Sequence, residues 1–319
     1  MTHAETMKPF RYTFTVFTPT FNRLHTLHRP FESLAAQTFR DFEWLIVDDG
    51  STDGTADLCR ELAASADFPI RYCHQQNTGK AGAISHGVEV AEGMLFVILD
   101  SDDWCTPNAL ARFWQHWSEV PGDRREAFSG VTCLCVDTAG HPIGSPFDAD
   151  VMDANLDQMR RAGKLAADRW GFHRTEVMKE FPFPRFSGEK FTSEGIVWNR
   201  IGRKYKMRFV NEPLRIVEYR DDGLSAGRRF LRASSPLGAR LYYEEYIELP
   251  LAPLQLIKGT LNFGRYSLHA GLSPLPHSPS ILLLASSMLL LPGSIVLYII
   301  DRVMLARTKL GGSTGNTAS

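Results

Sequence analysis

Six consecutive residues, Met94 to Leu99 (MLFVIL), carry no polar side chain, and the chain then turns at once to Asp100-Ser101-Asp102-Asp103, three carboxylates in four positions. An apolar run of this length between polar segments reads as a strand buried on both faces. Such strands belong to largely parallel sheets covered by helices on both sides. The acidic turn then falls at the carboxyl end of a central strand, where open α/β sheets bind their ligands.

The preceding residues supply the neighbours such a strand needs. Tyr12 to Thr18 (YTFTVFT) is aromatic and β-branched and is expected to stop at Pro19; Phe42 to Val47 (FEWLIV) and Ile70 to Cys73 read as further strands. Between them lie helical patterns over Arg23 to Thr38, with Pro30 setting a late start or a kink, and over Asp53 to Ala66 and Lys80 to Glu92. Thr106, with Pro107 at a first helical position, opens another. The expectation is an α/β fold with a mostly parallel central sheet flanked by helices.

Beyond it, signals weaken from Gly140 to Gly188, where a polar helix is expected over Met152 to Gly163. Ser193 to Lys204 reads as a helix capped by Ser193, and Met207 to Tyr219 as a strand pair. Composition changes after Leu224, which sets a boundary near residue 225. Residues 1–225 then form one domain and 226–319 a basic, hydrophobic, helical region.

At 44% hydrophobic and 22% charged residues the chain has globular composition, which excludes a mainly disordered protein. A net charge of -1 gives no whole-chain sign of nucleic-acid binding, although residues 200–240 hold eleven basic and four acidic residues. The five cysteines lack C-x-x-C spacing, so they read as buried thiols of a reducing compartment rather than zinc ligands. The polar start, Met1 to Arg11, does not resemble a secretory signal, and the chain is expected to stay in the cytosol.

Four motifs fall at the ends of the expected strands: Thr18-Pro19-Thr20-Phe21-Asn22-Arg23, Asp48-Asp49-Gly50-Ser51-Thr52-Asp53, Asn77-Thr78-Gly79-Lys80 and Asp100-Ser101-Asp102-Asp103. Each alone is a plausible turn or helix cap. The acidic run says more, because three carboxylates are costly to gather without a cation. Oxygen-only ligands suit Mg²⁺ or Mn²⁺, which take few protein groups and complete their shell with phosphate oxygens and water.

The segments FTPTFNR, IVDDGSTDGT, NTGKAGAISHG and ILDSDDW resemble the inverting family 2 glycosyltransferases of the GT-A fold, of the bacterial envelope and exopolysaccharide type, over roughly residues 12 to 220. The resemblance implies a nucleotide-diphosphate sugar as donor, most readily a uridine nucleotide, and a Mg²⁺ or Mn²⁺ cofactor. It places Pro19 and Phe21 at the base pocket, Asp49 on the uracil ring nitrogen, Lys80 near the diphosphate, Asp102 at the ribose and Asp103 on the metal. Asp100 would support the loop. Where relatives often carry Arg-Asn, this chain has Ile84-Ser85.

Inverting transfer is a single displacement and needs a general base for the acceptor hydroxyl. The matching segment, Ser193-Glu194-Gly195-Ile196-Val197-Trp198-Asn199-Arg200, puts Glu194 there, with Glu189 as fallback. Glu194 at a helix start is also explained by the helix dipole alone. Trp170 either flanks an acceptor sugar or belongs to the core. Arg220 either reaches a phosphate or sits in water. The acceptor implied is lipid-linked or a saccharide.

Residues 278–300 carry no charge over 23 positions and are interrupted by Pro292-Gly293, which suggests two short apolar segments. Arg302, Arg307 and Lys309 follow, so a single crossing would export basic residues against the positive-inside tendency. A re-entrant or interfacial anchor on the cytoplasmic face of the membrane is expected, the alternative being a helical pair buried against protein. Two other functions compete: a sugar-phosphate nucleotidyltransferase, which lacks support because Pro-Thr-Phe-Asn-Arg stands where a Gly-rich basic loop is needed, and a non-catalytic nucleotide-sugar-binding membrane scaffold.

Overall fold

The computed structural model describes residues 10–165, 167–218, 228–277 and 280–311. The elements run β1 (Tyr12–Thr20), α1 (His28–Ala35), β2 (Phe42–Asp48), α2 (Thr55–Ser65), β3 (Ile70–His74), α3 (Lys80–Val90), β4 (Gly93–Ile98), β5 (Trp104–Cys105) and α4 (Ala109–Ser118). After a 3₁₀ turn at Gly122–Ala127 come β6 (Phe128–Val136), β7 (Val151–Ala154), α5 (Leu156–Arg161), β8 (Arg169–Arg174), α6 (Thr175–Glu180), α7 (Gly195–Lys204) and β9 (Lys206–Ile216). The helices α8 (Arg228–Ser234), α9 (Pro236–Tyr246), α10 (Pro253–His269) and α11 (Ile281–Gly311) complete it.

Among the described residues, one sheet contains nine strands, in the order β3-β2-β1-β4-β8-β6-β9-β5, with β7 added on β9. The half from β3 to β4 is parallel throughout, as the alternating sequence pattern requires. Beyond β4 the sheet is mixed: β8 is antiparallel to both β4 and β6, while β6 and β9 run parallel. Strand β1 continues through Pro19 to Thr20, because Pro19 keeps the extended register opposite Val47 and only its missing N–H is lost. Pro30 lies in the first turn of α1, which gives the late helix start.

Three expectations are corrected. The stretch expected as a helix from Met152 begins as β7, pairing Val151–Ala154 with Met207–Val210, and only Leu156–Arg161 is helical, opened by an Asn155–Gln158 capping box. The strand pair expected from Met207 is the single strand β9, whose irregular register against β6 mimics a turn in the sequence pattern. The apolar tail is not two segments, since α11 runs unbroken through Pro292. One lost hydrogen bond is tolerated there because the flanking turns pack on α10, with Gly293 against Leu261 and Ser294 against Gly264.

The core of the sheet unit joins Phe14, Trp44, Phe113, Trp117, Trp170 and Phe172, with edge-on aromatic contacts around Phe172. Helix α3 lies close on β1 because Gly87 has no side chain: a Cβ there would stand 2.2 Å from the Phe17 ring. All five cysteines are free thiols.

The chain divides into two compact units: residues 10–182 with 200–218, and residues 183–199 with the helices from residue 228 on. Within the second unit, Tyr243, Tyr266, Phe263 and Leu283 form a separate core. The buried side of α11 carries Leu283, Ser287, Ser294 and Asp301; Asp301 is held by Arg265 at 2.5 Å, Arg229 at 2.8 Å and His269 at 3.1 Å. Its other side exposes Ile281, Leu282, Met288, Leu289, Ile295, Val296, Ile299, Ile300 and Val303. Residues 281–306 are long and apolar enough to cross a membrane.

Candidate active site

The carboxyl ends of β1, β2 and β4 bring three of the four sequence motifs together, and the fourth opens α3 beside them. Thr18 donates to the Leu99 carbonyl (2.8 Å) and receives the Trp44 indole N–H (2.9 Å), which ties β1 to β4 and β2 at this end. The first two turns interlock: the Asn22 amide donates to Ser51 Oγ and the Thr52 amide to Asn22 Oδ1, both at 2.8 Å. Asp48 receives the Ser51 amide and the Tyr72 hydroxyl, and Asp53 receives the Thr55 amide at the start of α2. Gly50 adopts φ 88°, and a Cβ there would sit 3.1 Å from the Asn77 nitrogen. Much of the Asp-Asp-Gly-Ser-Thr-Asp motif is therefore turn scaffold.

Asp49 is buried and organises the next loop. Its Oδ1 accepts from Gln75 Nε2 (2.7 Å) and the Thr78 amide (2.8 Å), and its Oδ2 from the Gly79 amide (2.7 Å). Bonds from backbone N–H groups to an ionised oxygen are the strong kind. Thr78, part of the Asn-Thr-Gly-Lys motif, thus helps hold Asp49, and so does Gln75, which the sequence reading did not single out; its only signal was proximity to that motif. Pro19 is buried within β1, whereas Phe21, one residue past the strand, is 47% exposed and offers an open ring face.

The acidic turn is tied to basic groups from distant elements. Lys80, the first residue of α3, holds Asp100 through both oxygens (2.9 and 2.7 Å). Burial alone would raise the Asp100 pKa, but Lys80 outweighs it and holds this carboxyl below its ordinary range. Asp103 is buried and pairs with Arg215 Nη1 at 3.3 Å. Burial foremost, then the charges of Asp100 and Asp102, push Asp103 up to about 7 against the pull of Arg215. Asp102 is also raised, by burial and then by Asp100. Arg29 donates to the Asp102 carbonyl (3.4 Å), pairs with Glu218 (2.6 Å) and lies over the Trp104 ring, so the turn is braced from outside. Arg215 was not anticipated; it lies on β9, opposite Cys105 of β5 and Cys135 of β6, with no motif around it.

Among the described residues no three His, Cys, Asp or Glu side chains form a metal cage. Two crowded carboxylates, the half-buried Asp102 and the buried Asp103, nevertheless suit a hard divalent cation of the Mg²⁺ or Mn²⁺ kind, which binds through one or two carboxylates and substrate phosphates.

Two expectations resolve structurally. Trp170 is a core residue: it is buried, its indole donates to the Ile98 carbonyl (2.6 Å), and its ring lies 5.0 Å from Phe113, so it is corrected from an acceptor platform. Glu189 is a cap in the second unit. Its two oxygens accept the Leu237 and Gly238 amides (2.7 and 2.9 Å) at the start of α9. Glu194 lies in the same unit, at the start of α7, where its carbonyl accepts the Val197 and Trp198 amides. Arg220 lies outside the described residues.

Residues 15–124 match the sequence profile of Glycosyl transferase family 2. The chain is 25% identical over 215 residues to the GalNAc(5)-diNAcBac-PP-undecaprenol β-1,3-glucosyltransferase of Campylobacter jejuni, covering 66% of this chain and 67% of that protein. Against several further curated glycosyltransferases the chain spans only 14% to 36% of their length. Its fold is similar to Staphylococcus aureus TarS 1-349 in complex with UDP-GlcNAc (TM-score 0.55, 18% identity, 81% of this chain and 72% of that one). It is likewise similar to the mannosyltransferase PcManGT of Pyrobaculum calidifontis in complex with GDP-Man and Mn²⁺ (TM-score 0.53, 18% identity, 92% and 87%). With the four motifs gathered at one end of a mixed α/β sheet, the chain has the GT-A fold, and its residues 15–124 are similar to glycosyl transferase family 2.

Proposed function

We propose that the protein is an inverting, metal-dependent glycosyltransferase that takes its sugar from a nucleotide diphosphate, with UDP as the nucleotide, and passes it to a lipid-linked or saccharide acceptor in envelope or exopolysaccharide synthesis. The observation that carries this reading is the convergence of Asp49, Asp102 and Asp103, at the carboxyl ends of β2 and β4, with Lys80 at the start of α3, while the exposed Phe21 follows the end of β1. The lipid-linked acceptor named for the Campylobacter relative and the nucleotide sugars bound by the two structural neighbours support it.

In this reading Phe21 stacks on the base and Asp49, fixed by the 75–79 loop, accepts from the ring N–H. Asp102 binds the ribose, and Lys80 lies beside the diphosphate. Asp103, with Asp102 next to it, holds the divalent cation, which when bound neutralises charge on the departing diphosphate. Glu194 takes the proton of the attacking hydroxyl. No covalent intermediate on the protein is needed for a single displacement. Glu189 is unsuited to the base role because two backbone amides occupy its carboxylate.

The continuous apolar face of α11 is read as an anchor on the cytoplasmic face of the membrane, lying in the interface. Its opposite side is unsuited to lipid, since it carries Ser287, Ser294 and an Asp301 held by two arginines.

Calorimetry tests the donor site: UDP, GDP and their sugars are titrated with Mn²⁺ and then with EDTA. The reading requires metal-dependent binding of UDP that Asp103→Ala abolishes. Glu194→Gln must retain that affinity while losing turnover; full turnover in this variant would favour a different base, and no nucleotide binding by folded protein would leave a scaffold role.

A further inference from the structure

The acidic turn carries its own countercharges. Lys80 occupies both oxygens of Asp100, Arg215 lies on Asp103, and the positive charge of Arg23 acts on Asp102. Three carboxylates therefore meet three cations before any ligand arrives. Arg215 differs from the other two in how it is held. Its strand is fixed on both sides, by Cys105 of β5 and Cys135 of β6, and its side chain is only 12% exposed. A buried guanidinium cannot swing into water to make way for another cation, and it cannot lose its charge.

We propose that Arg215 is a specificity-determining residue that bars a bare divalent cation from this site and admits one only together with a nucleoside diphosphate. The inference rests on the donor-site reading above. A divalent ion approaching Asp102 and Asp103 alone meets carboxylates that already face cations, with a fixed positive charge on one ligand, so repulsion from Arg215 offsets much of the attraction. A diphosphate brings the missing negative charge. Its oxygens complete the metal's coordination and face Lys80 and Arg215. Metal and nucleotide then bind as one unit, each strengthening the other.

Calorimetry or Mn²⁺ electron paramagnetic resonance on the full chain tests this, with Mn²⁺ alone, UDP alone and both together. Wild type binds Mn²⁺ with UDP but shows no saturable uptake of Mn²⁺ alone up to millimolar concentration. Arg215→Met gains affinity for Mn²⁺ alone by at least ~10-fold, and Arg215→Lys, which keeps the charge, behaves as wild type. Tight uptake of Mn²⁺ alone by wild type overturns the proposal, and that arm needs no variant to fold. An unchanged Mn²⁺ affinity in a folded Arg215→Met protein, judged by its melting transition, overturns it as well. Failure of wild type to bind Mn²⁺ and UDP together is a different result: it removes the donor-site reading itself.

Discussion

Replacing Glu189 by glutamine separates a structural carboxylate from a catalytic one. The wild-type side chain receives the Leu237 amide at 2.7 Å and the Gly238 amide at 2.9 Å at the positive end of α9. Glutamine keeps one acceptor and turns an NH₂ group toward the other amide. One hydrogen bond to a charged acceptor is lost, about 1.5 kcal/mol, and removing the negative charge from the helix start costs a further ~0.5 kcal/mol. The second unit should lose about 2 kcal/mol, which speeds hydrogen exchange at the Leu237 and Gly238 amides roughly 30-fold wherever exchange proceeds by opening of this helix start. Exchange measured by NMR or mass spectrometry, with thermal melting alongside, reads this directly. Turnover per folded molecule should stay within a few-fold of wild type, whereas Glu194→Gln should lower it by about 10²-fold or more with little change in melting. The reasoning fails if Glu189→Gln melts and exchanges like wild type while turnover collapses, because Glu189 would then be the base.

Three other outcomes follow from single side chains. Burial lowers the pKa of His173 from 6.5 to about 4. The fold therefore keeps it neutral while the unfolded chain takes up a proton, so its contribution is complete above pH 6.5 and is lost as pH falls toward 4, by at most ~3 kcal/mol; urea unfolding of His173→Gln across pH 4 to 7 should show a flatter pH dependence. Gly87→Ala places a Cβ 2.2 Å from the Phe17 ring and should cost about 1–3 kcal/mol, read as a lowered denaturation midpoint; an unchanged midpoint would mean α3 is free to shift away from β1. Leu289→Asp, on the exposed side of α11, should lower co-flotation with anionic lipid vesicles by ~10-fold or more without changing nucleotide affinity; equal flotation would exclude this face as the lipid contact.

The parallel half of the sheet was legible because its strands are short runs rich in apolar, aromatic or β-branched residues followed by turn residues, and β1 to β4 fall within a residue or two of the pattern. What lay beyond was hidden for identifiable reasons. β7 is only four residues long, and its alternation is too brief to outweigh the helical pattern that follows it. β9 departs from regular pairing with β6, and such irregularity reads as a turn. Pro292 looks like a break because sequence reveals the lost hydrogen bond but not the small-residue packing of Gly293 and Ser294 on α10.

The site divides in the same way. Asp49, Lys80 and the acidic turn were readable because local motifs at strand ends have local geometry. Arg215 and the capping role of Glu189 were not, since each acts on a residue far along the chain: Arg215 on Asp103, and Glu189 on the amides of Leu237 and Gly238. Trp170 shows the converse. An aromatic residue suited to sugar stacking is equally suited to a core, and only its burial and the bond to Ile98 decide between them.

The central claim is that the carboxyl ends of β1, β2 and β4 hold a nucleoside diphosphate. A crystal structure of the full chain grown with UDP and Mn²⁺ tests it most directly. The account predicts the uracil against Phe21 and within hydrogen-bond reach of Asp49, with the diphosphate and the metal at Asp102 and Asp103. A nucleotide bound elsewhere, or bound here with the metal away from both carboxylates, would contradict it.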